Sequence, residues 1–377
     1  MRAIRLHGRG DIRLEDVPAP GSLGPRDVLI KPRFCGICGT DLHEYVEGAR
    51  VVPSKPHPMT GAMLPQILGH ELSADVVEVG TDVVNTKPGD RIAVMPEISC
   101  GRCYYCQRGW NHLCTLHACV GLSWAWGGFS EYAVVPDYSA VVLPDAVSYE
   151  QGALLEPTAV AAYAVERGHL QGGGSILIAG AGPIGILAAL YARAIGAGAV
   201  YITETNVKRL DLARSLGVSE VFNPAAPERA AARKQGRDTA TGVFDPSKSW
   251  VVDALRERTG GVGVDVAVDC TGNEFGLNTC INAVRSRGTV VESALHVQSP
   301  TVDMYALGLK DASLEATWCF NVYDFPRYAS LIAAGRLPVE KAISAKIPLE
   351  DVDEKGFKVL TDPSGGATKI LVYPEAH

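Results

Sequence analysis

The sequence predicts an α/β protein in which a β-rich, barrel-type domain is followed by a doubly wound parallel sheet. Three observations carry this. Up to about residue 155, short β-like runs are broken repeatedly by Gly and Pro. From about residue 157, strand-like and helix-like runs alternate. The first of those alternations contains Gly180-Ala-Gly182-Pro183-Ile184-Gly185 between a buried apolar run and a helical one. At 377 residues the chain is also long for one core, so two domains are expected.

In the first part, the runs Asp27-Val-Leu-Ile-Lys-Pro32, Ser73-Ala-Asp-Val-Val-Glu-Val-Gly80 and Arg91-Ile-Ala-Val-Met-Pro96 read as strands. Lys87-Pro-Gly-Asp90 is a turn between two of them, with Pro fixing φ and Gly accepting a positive one. In the second part, Ser175-Ile-Leu-Ile-Ala179 reads as a buried strand and Ile184 to Ile195 as a helix. Ala199 to Thr203 is the next strand and Val207 to Leu216 the next helix; Val264 to Asp269 and Gly288 to Glu292 continue the series. Residues 223–250 are polar, with Pro, Ala and basic residues, and read as a surface excursion. Leu371-Val-Tyr373 reads as a final strand.

The glycine-rich turn follows a strand and opens a helix, the context in which its spacing carries meaning. Gly180 permits a tight turn, Gly182 lets the backbone approach a pyrophosphate, and Gly185 lets the helix pack on the strand. With Pro183 and Ile184 in the first turn, the helix offers unpaired N–H groups and a positive dipole end to phosphate. Glu204, at the end of the next strand, is placed to grip an adenosine ribose hydroxyl and to repel a 2′-phosphate, which favours NAD over NADP. Arg209 either lines the adenosine pocket or is a solvated helix charge.

Composition narrows the setting. Hydrophobic residues make up 47% and charged residues 20% with a net charge of −7, which argues against nucleic acid and anionic membrane as partners. Met1-Arg-Ala-Ile-Arg-Leu-His-Gly8 carries charges where a signal peptide would be apolar, and ten cysteines without export signals suit a reducing, cytoplasmic compartment.

Four of those cysteines, Cys100, Cys103, Cys106 and Cys114, have C-x2-C-x2-C-x7-C spacing, so short loops can converge them on one tetrahedral ion. Disulfides across two-residue gaps would be strained. Four thiolates leave a zinc ion no open position, so this zinc is structural and catalysis lies elsewhere. A second set of ligand types, Cys35-Gly-Ile-Cys38-Gly-Thr40-Asp41-Leu-His43 and then Gly69-His70-Glu71, combines thiolate, imidazole and carboxylate. A redox role for Cys35 and Cys38 would need a thioredoxin-like βαβ context, which the surroundings do not supply.

These motifs, in this order and spacing, resemble the zinc-containing medium-chain alcohol and polyol dehydrogenase family over nearly the whole chain apart from 223–250. Asp41-Leu-His-Glu-Tyr45, His57-Pro-Met-Thr-Gly61, Cys106-Gln-Arg-Gly109 and Leu155-Glu156-Pro157 are most similar to the polyol branch, and there to the butanediol dehydrogenases. The resemblance implies a GroES-like β-barrel-type catalytic domain at 1–157, with the zinc lobe at about 96–116, and a Rossmann NAD-binding domain at 158–318. Residues 319–377 would return to the catalytic domain. It implies two Zn2+ per chain and NAD, with Cys38 and His70 as catalytic zinc ligands. Either Glu156 ligates directly, or Glu71 ligates and Glu156 acts through a water. Thr40 and His43 correspond to the family's proton relay. A homodimer or homotetramer is implied, as is a small secondary alcohol substrate.

A vicinal diol and hydroxyketone pair such as 2,3-butanediol and acetoin is the leading expectation. Sorbitol-type enzymes often lack the four-cysteine site, so its presence leans toward the butanediol or threonine branches, and no residue declares itself for threonine's carboxylate and ammonium. L-threonine 3-dehydrogenase and sugar-polyol dehydrogenase are the alternatives. A non-catalytic NAD-binding structural protein would lack Cys38, His70 and Glu71 together.

Overall fold

The computed structural model describes residues 1–226 and 249–374; most of the excursion expected at 223–250 lies outside them. The chain divides into two compact units, Met1–Ala159 with Phe320–His377, and Val160–Cys319. Among the described residues, no helix is long and apolar enough to cross a membrane.

The first unit is built mainly from antiparallel strands, with Ile343–Pro348 and Lys369–Tyr373 paired parallel. Its main sheet runs Ala140–Val142, Arg91–Val94, Glu71–Val79, Asp27–Gly36, Lys369–Tyr373, Ile343–Pro348, with Ala133–Pro136 also paired to Asp27–Gly36. Alternate residues of the long strand point inward: Val28 and Ile30 are buried between half-buried neighbours. Val28 and Ile30 join Leu6, Leu72, Phe129 and Phe357 in one core. The predicted turn forms, with Asp90 N donating to Lys87 O at 3.1 Å and Gly89 at φ +89°. The last strand comes from the chain's far end, and its residues Leu371 and Val372 pair with Gly36 and Cys35.

The second unit is a six-stranded parallel sheet in the order Glu220–Phe222, Ala199–Thr203, Ser175–Ala179, Val264–Asp269, Val284–Glu292, Ser313–Ala316. The order reverses beside Ser175–Ala179, the switch point at whose carboxyl edge doubly wound folds bind ligands. Ile176, Leu177, Ile178 and Ala179 are fully buried, because helices such as Pro183–Ala194 and Glu274–Ala283 pack on the sheet. Among the described residues, the strand Ser313–Ala316 pairs on one side only.

Candidate active site

In the first unit, strand register brings the second ligand set together. The strand Asp27–Gly36 runs antiparallel to Glu71–Val79 with Gly36 opposite Glu71. Cys38 therefore leaves one strand where His70 enters the other. The approach is close: a Cβ on Gly36 would lie 2.1 Å from Glu71 Oε2. Gly69, at φ +98°, makes the left-handed step that presents His70. The ligand atoms of Cys38, His70 and Glu71 lie within 4.8 Å of one another. Glu156, buried near the start of the helix Leu155–Arg167, stands outside that group.

The electrostatics call for a cation. Burial, then the Glu71 carboxylate, pushes the Cys38 thiol up to about 12. Burial pushes Asp41 up to about 6 and Glu156 well above the carboxylate range. Burial alone would lower His70, but the carboxylates of Asp41, Glu156 and Glu71 outweigh it and raise it. Against these four acidic groups stands Lys369, whose Nζ donates to Glu71 Oε1 at 2.6 Å, Oε2 at 2.5 Å and Ile37 O at 2.9 Å. One ammonium cannot balance them, whereas a divalent ion on thiolate, imidazole and carboxylate would. The donor set fits zinc.

Neighbouring groups hold the donors. Asp41 Oδ2 accepts from Cys38 N at 2.9 Å, tying the helix Gly39–Glu47 to its first residue's predecessor. Its other oxygen lies 3.6 Å from His70 Nδ1, and both of those buried atoms lack a hydrogen-bond partner. Thr40 Oγ1 is 3.8 Å from Cys38 Sγ. His43, three residues on and so on the same helix face, is half-exposed, with Nδ1 3.4 Å from Glu47 Oε1.

The four-cysteine lobe also closes. Its sulfurs all lie within 4.8 Å, with Cys103 to Cys106 at 3.5 Å and Cys103 to Cys114 at 4.0 Å. A tetrahedron of zinc–sulfur bonds has edges of about 3.8 Å, so the spacing fits the metal and not a disulfide. The backbone N–H groups of Cys100 and Leu116 point at Cys114 Sγ, each at 3.3 Å. Backbone donation, first from Cys106, lowers the Cys103 thiol to about 5, while burial raises Cys114 to about 12.

In the second unit, the glycine-rich turn has the expected build. Gly180 sits at φ +97°, Gly182 caps the helix Pro183–Ala194, and Pro183 occupies its first turn. Nothing lies within 4 Å of a Cβ placed on Gly182, leaving its backbone open to a ligand. A Cβ on Gly185 would sit 2.0 Å from Gly180 O, so only glycine lets this helix and turn pack. Glu204 Oε2 accepts from Ala181 N at 2.9 Å, and Oε1 accepts from Thr205 N and Asn206 N at 2.7 and 2.8 Å. Arg209 lies in the first turn of Val207–Ser215, its N–H capped by Asn206 Oδ1.

Comparison with known proteins gives the family. Residues 24–145 match the alcohol dehydrogenase GroES-like domain and residues 183–334 the zinc-binding dehydrogenase domain. The (R,R)-butanediol dehydrogenase of Bacillus subtilis is 36% identical, over 99% of this chain and 100% of that enzyme. The chain belongs to the zinc-dependent alcohol and polyol dehydrogenase family. It is therefore an enzyme of the class acting on CH–OH groups. The crystal structure of 2R,3R-butanediol dehydrogenase from Bacillus subtilis is similar at TM-score 0.86 and 35% identity, covering 99% of both chains. A putative zinc-binding dehydrogenase from Sinorhizobium meliloti bound to NADP is similar at TM-score 0.82 and 29% identity, again covering 99% of both.

Sequence reasoning on this dehydrogenase missed Lys369. Its only signal is a lone lysine opening the apolar run Ile370-Leu-Val-Tyr373, which is fully buried and 298 residues from its partner Glu71. It also missed a second acidic and imidazole cluster, Asp269, Glu292 and His296, in the second unit.

Proposed function

We propose that this enzyme oxidises one secondary hydroxyl of a small vicinal diol to a hydroxyketone, reversibly, using NAD and zinc. The observation that carries the reading is the convergence of Cys38, His70 and Glu71 among more buried acid than Lys369 can balance. The 36% identity to a butanediol dehydrogenase supports the diol. Two zinc ions per chain follow, one on this set and one on Cys100, Cys103, Cys106 and Cys114.

When bound, zinc supplies the Lewis acidity that lowers the alcohol's pKa, and NAD supplies the hydride acceptor. Cys38, His70 and Glu71 would be the direct donors, and Glu156 would act through a water. Asp41 facing Nδ1 of His70 fixes the tautomer that leaves Nε2 to ligate. Lys369 holds the Glu71 carboxylate in place and carries part of the opposing charge. Thr40 Oγ1, beside Cys38, would accept the hydroxyl proton as it passes its own on toward the half-exposed His43 ring, which would release one to solvent.

Gly180, Gly182 and the helix start at Pro183, Ile184 and Gly185 hold the pyrophosphate, with Arg209 beside the adenosine. Glu204, which accepts from Ala181 N at the turn, selects NAD; the NADP bound to the Sinorhizobium relative makes the choice a sharp test. The edge strand Ser313–Ala316, paired on one side only among the described residues, with Leu314 on it and Leu309 and Tyr305 exposed on the helix Met304–Lys310, supports a homodimer or homotetramer built on that edge. Work in a reducing cytoplasm would keep the lobe thiols available to metal.

The test is a panel of butane-2,3-diol isomers, acetoin, L-threonine and sugar alcohols, each with NAD and NADP, alongside zinc analysis of the same sample. Turnover of a diol isomer with NAD is expected, with one zinc ion on each of the two cysteine-bearing sets and so at least two per chain. Preference for threonine or a sugar alcohol would move the substrate, and no turnover of any diol would sink the reading. Sedimentation in the same buffer would read a monomer if the edge strand stays unpaired.

A further inference from the structure

We propose that Asp269, Glu292 and His296 form a further metal site, for one divalent ion of the zinc type, on the dinucleotide-binding unit. Parallel register creates it: Asp269 and Glu292 are paired last residues of the strands Val264–Asp269 and Val284–Glu292. The chain after the second strand brings His296 back over both. One ligand atom from each residue lies within 4.8 Å of the others.

The separations are those of a coordination shell. His296 Nε2 is 3.4 Å from Asp269 Oδ2 and 3.5 Å from Glu292 Oε1. Those distances are long for N–H···O bonds, and neither ring nitrogen of His296 has a hydrogen-bond partner. Metal bonds of about 2.1 Å in a tetrahedron give donor separations of about 3.4 Å.

Asp269 points to a ligand independently. It is fully buried, and its Oδ1 accepts from Thr271 N at 2.9 Å and Thr271 Oγ1 at 2.6 Å, while Oδ2 faces the cluster with no partner. Leaving a buried carboxylate oxygen unpaired is costly unless a cation meets it. Glu292 Oε1 is oriented by Ala294 N at 2.8 Å. Burial raises both carboxyls.

The His296 side chain is 12% exposed, which leaves the ion a path in and solvent a place in the fourth position. Imidazole with two carboxylates suits zinc, or cobalt in its stead; magnesium demands six oxygens and gives up its water reluctantly. The site shares no residue with either zinc set described above, so it stands or falls apart from the diol reading.

The experiment is equilibrium dialysis of the whole protein against micromolar Zn2+, with metal analysis of wild type, His296→Gln and Glu292→Gln. Wild type is expected to hold one ion per chain more than either variant, and Co2+ in that extra site to lack a thiolate charge-transfer band. Should a variant misfold by circular dichroism, peptide-resolved diethylpyrocarbonate labelling of wild type replaces it. Zn2+ but not Mg2+ should then protect His296. Equal metal content in wild type and folded variants, or labelling of His296 indifferent to Zn2+, would overturn the site and leave a histidine packed between two acidic side chains.

Discussion

Lys369→Met tests the charge balance of the candidate active site directly. Methionine keeps the length of the side chain and removes the ammonium that contacts both oxygens of Glu71 in a pair about 1% exposed on each side. At an effective dielectric near 20, unit charges about 3 Å apart attract by roughly 5 kcal/mol. Recovering the buried lysine's desolvation cost offsets part of this, but the Glu71 carboxylate stays behind, unpaired. Removing one partner of a buried pair costs about 3–5 kcal/mol. In a body of roughly 200 residues that lowers Tm by about 10 °C.

The double variant Glu71→Gln/Lys369→Met removes both charges. It should be more stable than the sum of the single losses predicts by about 2 kcal/mol or more. Zinc should shrink the Lys369→Met loss, because the ion can meet the stranded carboxylate. Urea unfolding of the four proteins, chelated and zinc-loaded, reads all of this. A coupling below about 0.5 kcal/mol, or a Lys369→Met loss no smaller with zinc, would refute the reasoning.

Cys103→Ser should cost one zinc per chain by metal analysis and lower Tm, since three sulfurs cannot close the lobe's tetrahedron. Gly185→Ala would force a methyl against Gly180 O, so calorimetry should find NAD binding weakened by about tenfold or more as the turn shifts. Reloading chelated protein with zinc at pH 7 should release at least two protons per chain, because Cys38 and Cys114, both raised to about 12, must ionise to ligate. Zinc affinity therefore falls as pH falls; an indicator dye seeing no release would contradict the ligand assignment. His43→Gln should slow alcohol oxidation by about tenfold or more, with recovery in concentrated imidazole buffer if the ring is the proton's exit.

The parts of this protein that were legible in the sequence are those whose chemistry is local. The glycine turn was readable because strand, glycines and helix follow one another within about twenty residues, and the four-cysteine lobe because its donors share fifteen. Cys38 and His70 were readable as donor types, but their meeting depends on Gly36 pairing with Glu71, a register that sequence pattern does not assign. The role of Asp41 was half readable: its contact with Cys38 N is three residues away, while its approach to His70 is tertiary.

What stayed hidden has one physical character. Motifs announce donors, whereas a buried site must also hold the opposing charge, and that can come from anywhere the sheet allows. Lys369 reaches Glu71 because the last strand pairs with Asp27–Gly36 at residues 371 and 372, next to the strand that begins with Glu71. Asp269 meets Glu292 for the same kind of reason, two parallel strands ending level. In one case the sheet delivers a lysine to a crowd of acids; in the other it delivers an imidazole with both nitrogens unpaired. Reading a buried site in this fold therefore means tallying charge across strand neighbours, and a surplus of acid at a strand's end is the feature that asks for an ion.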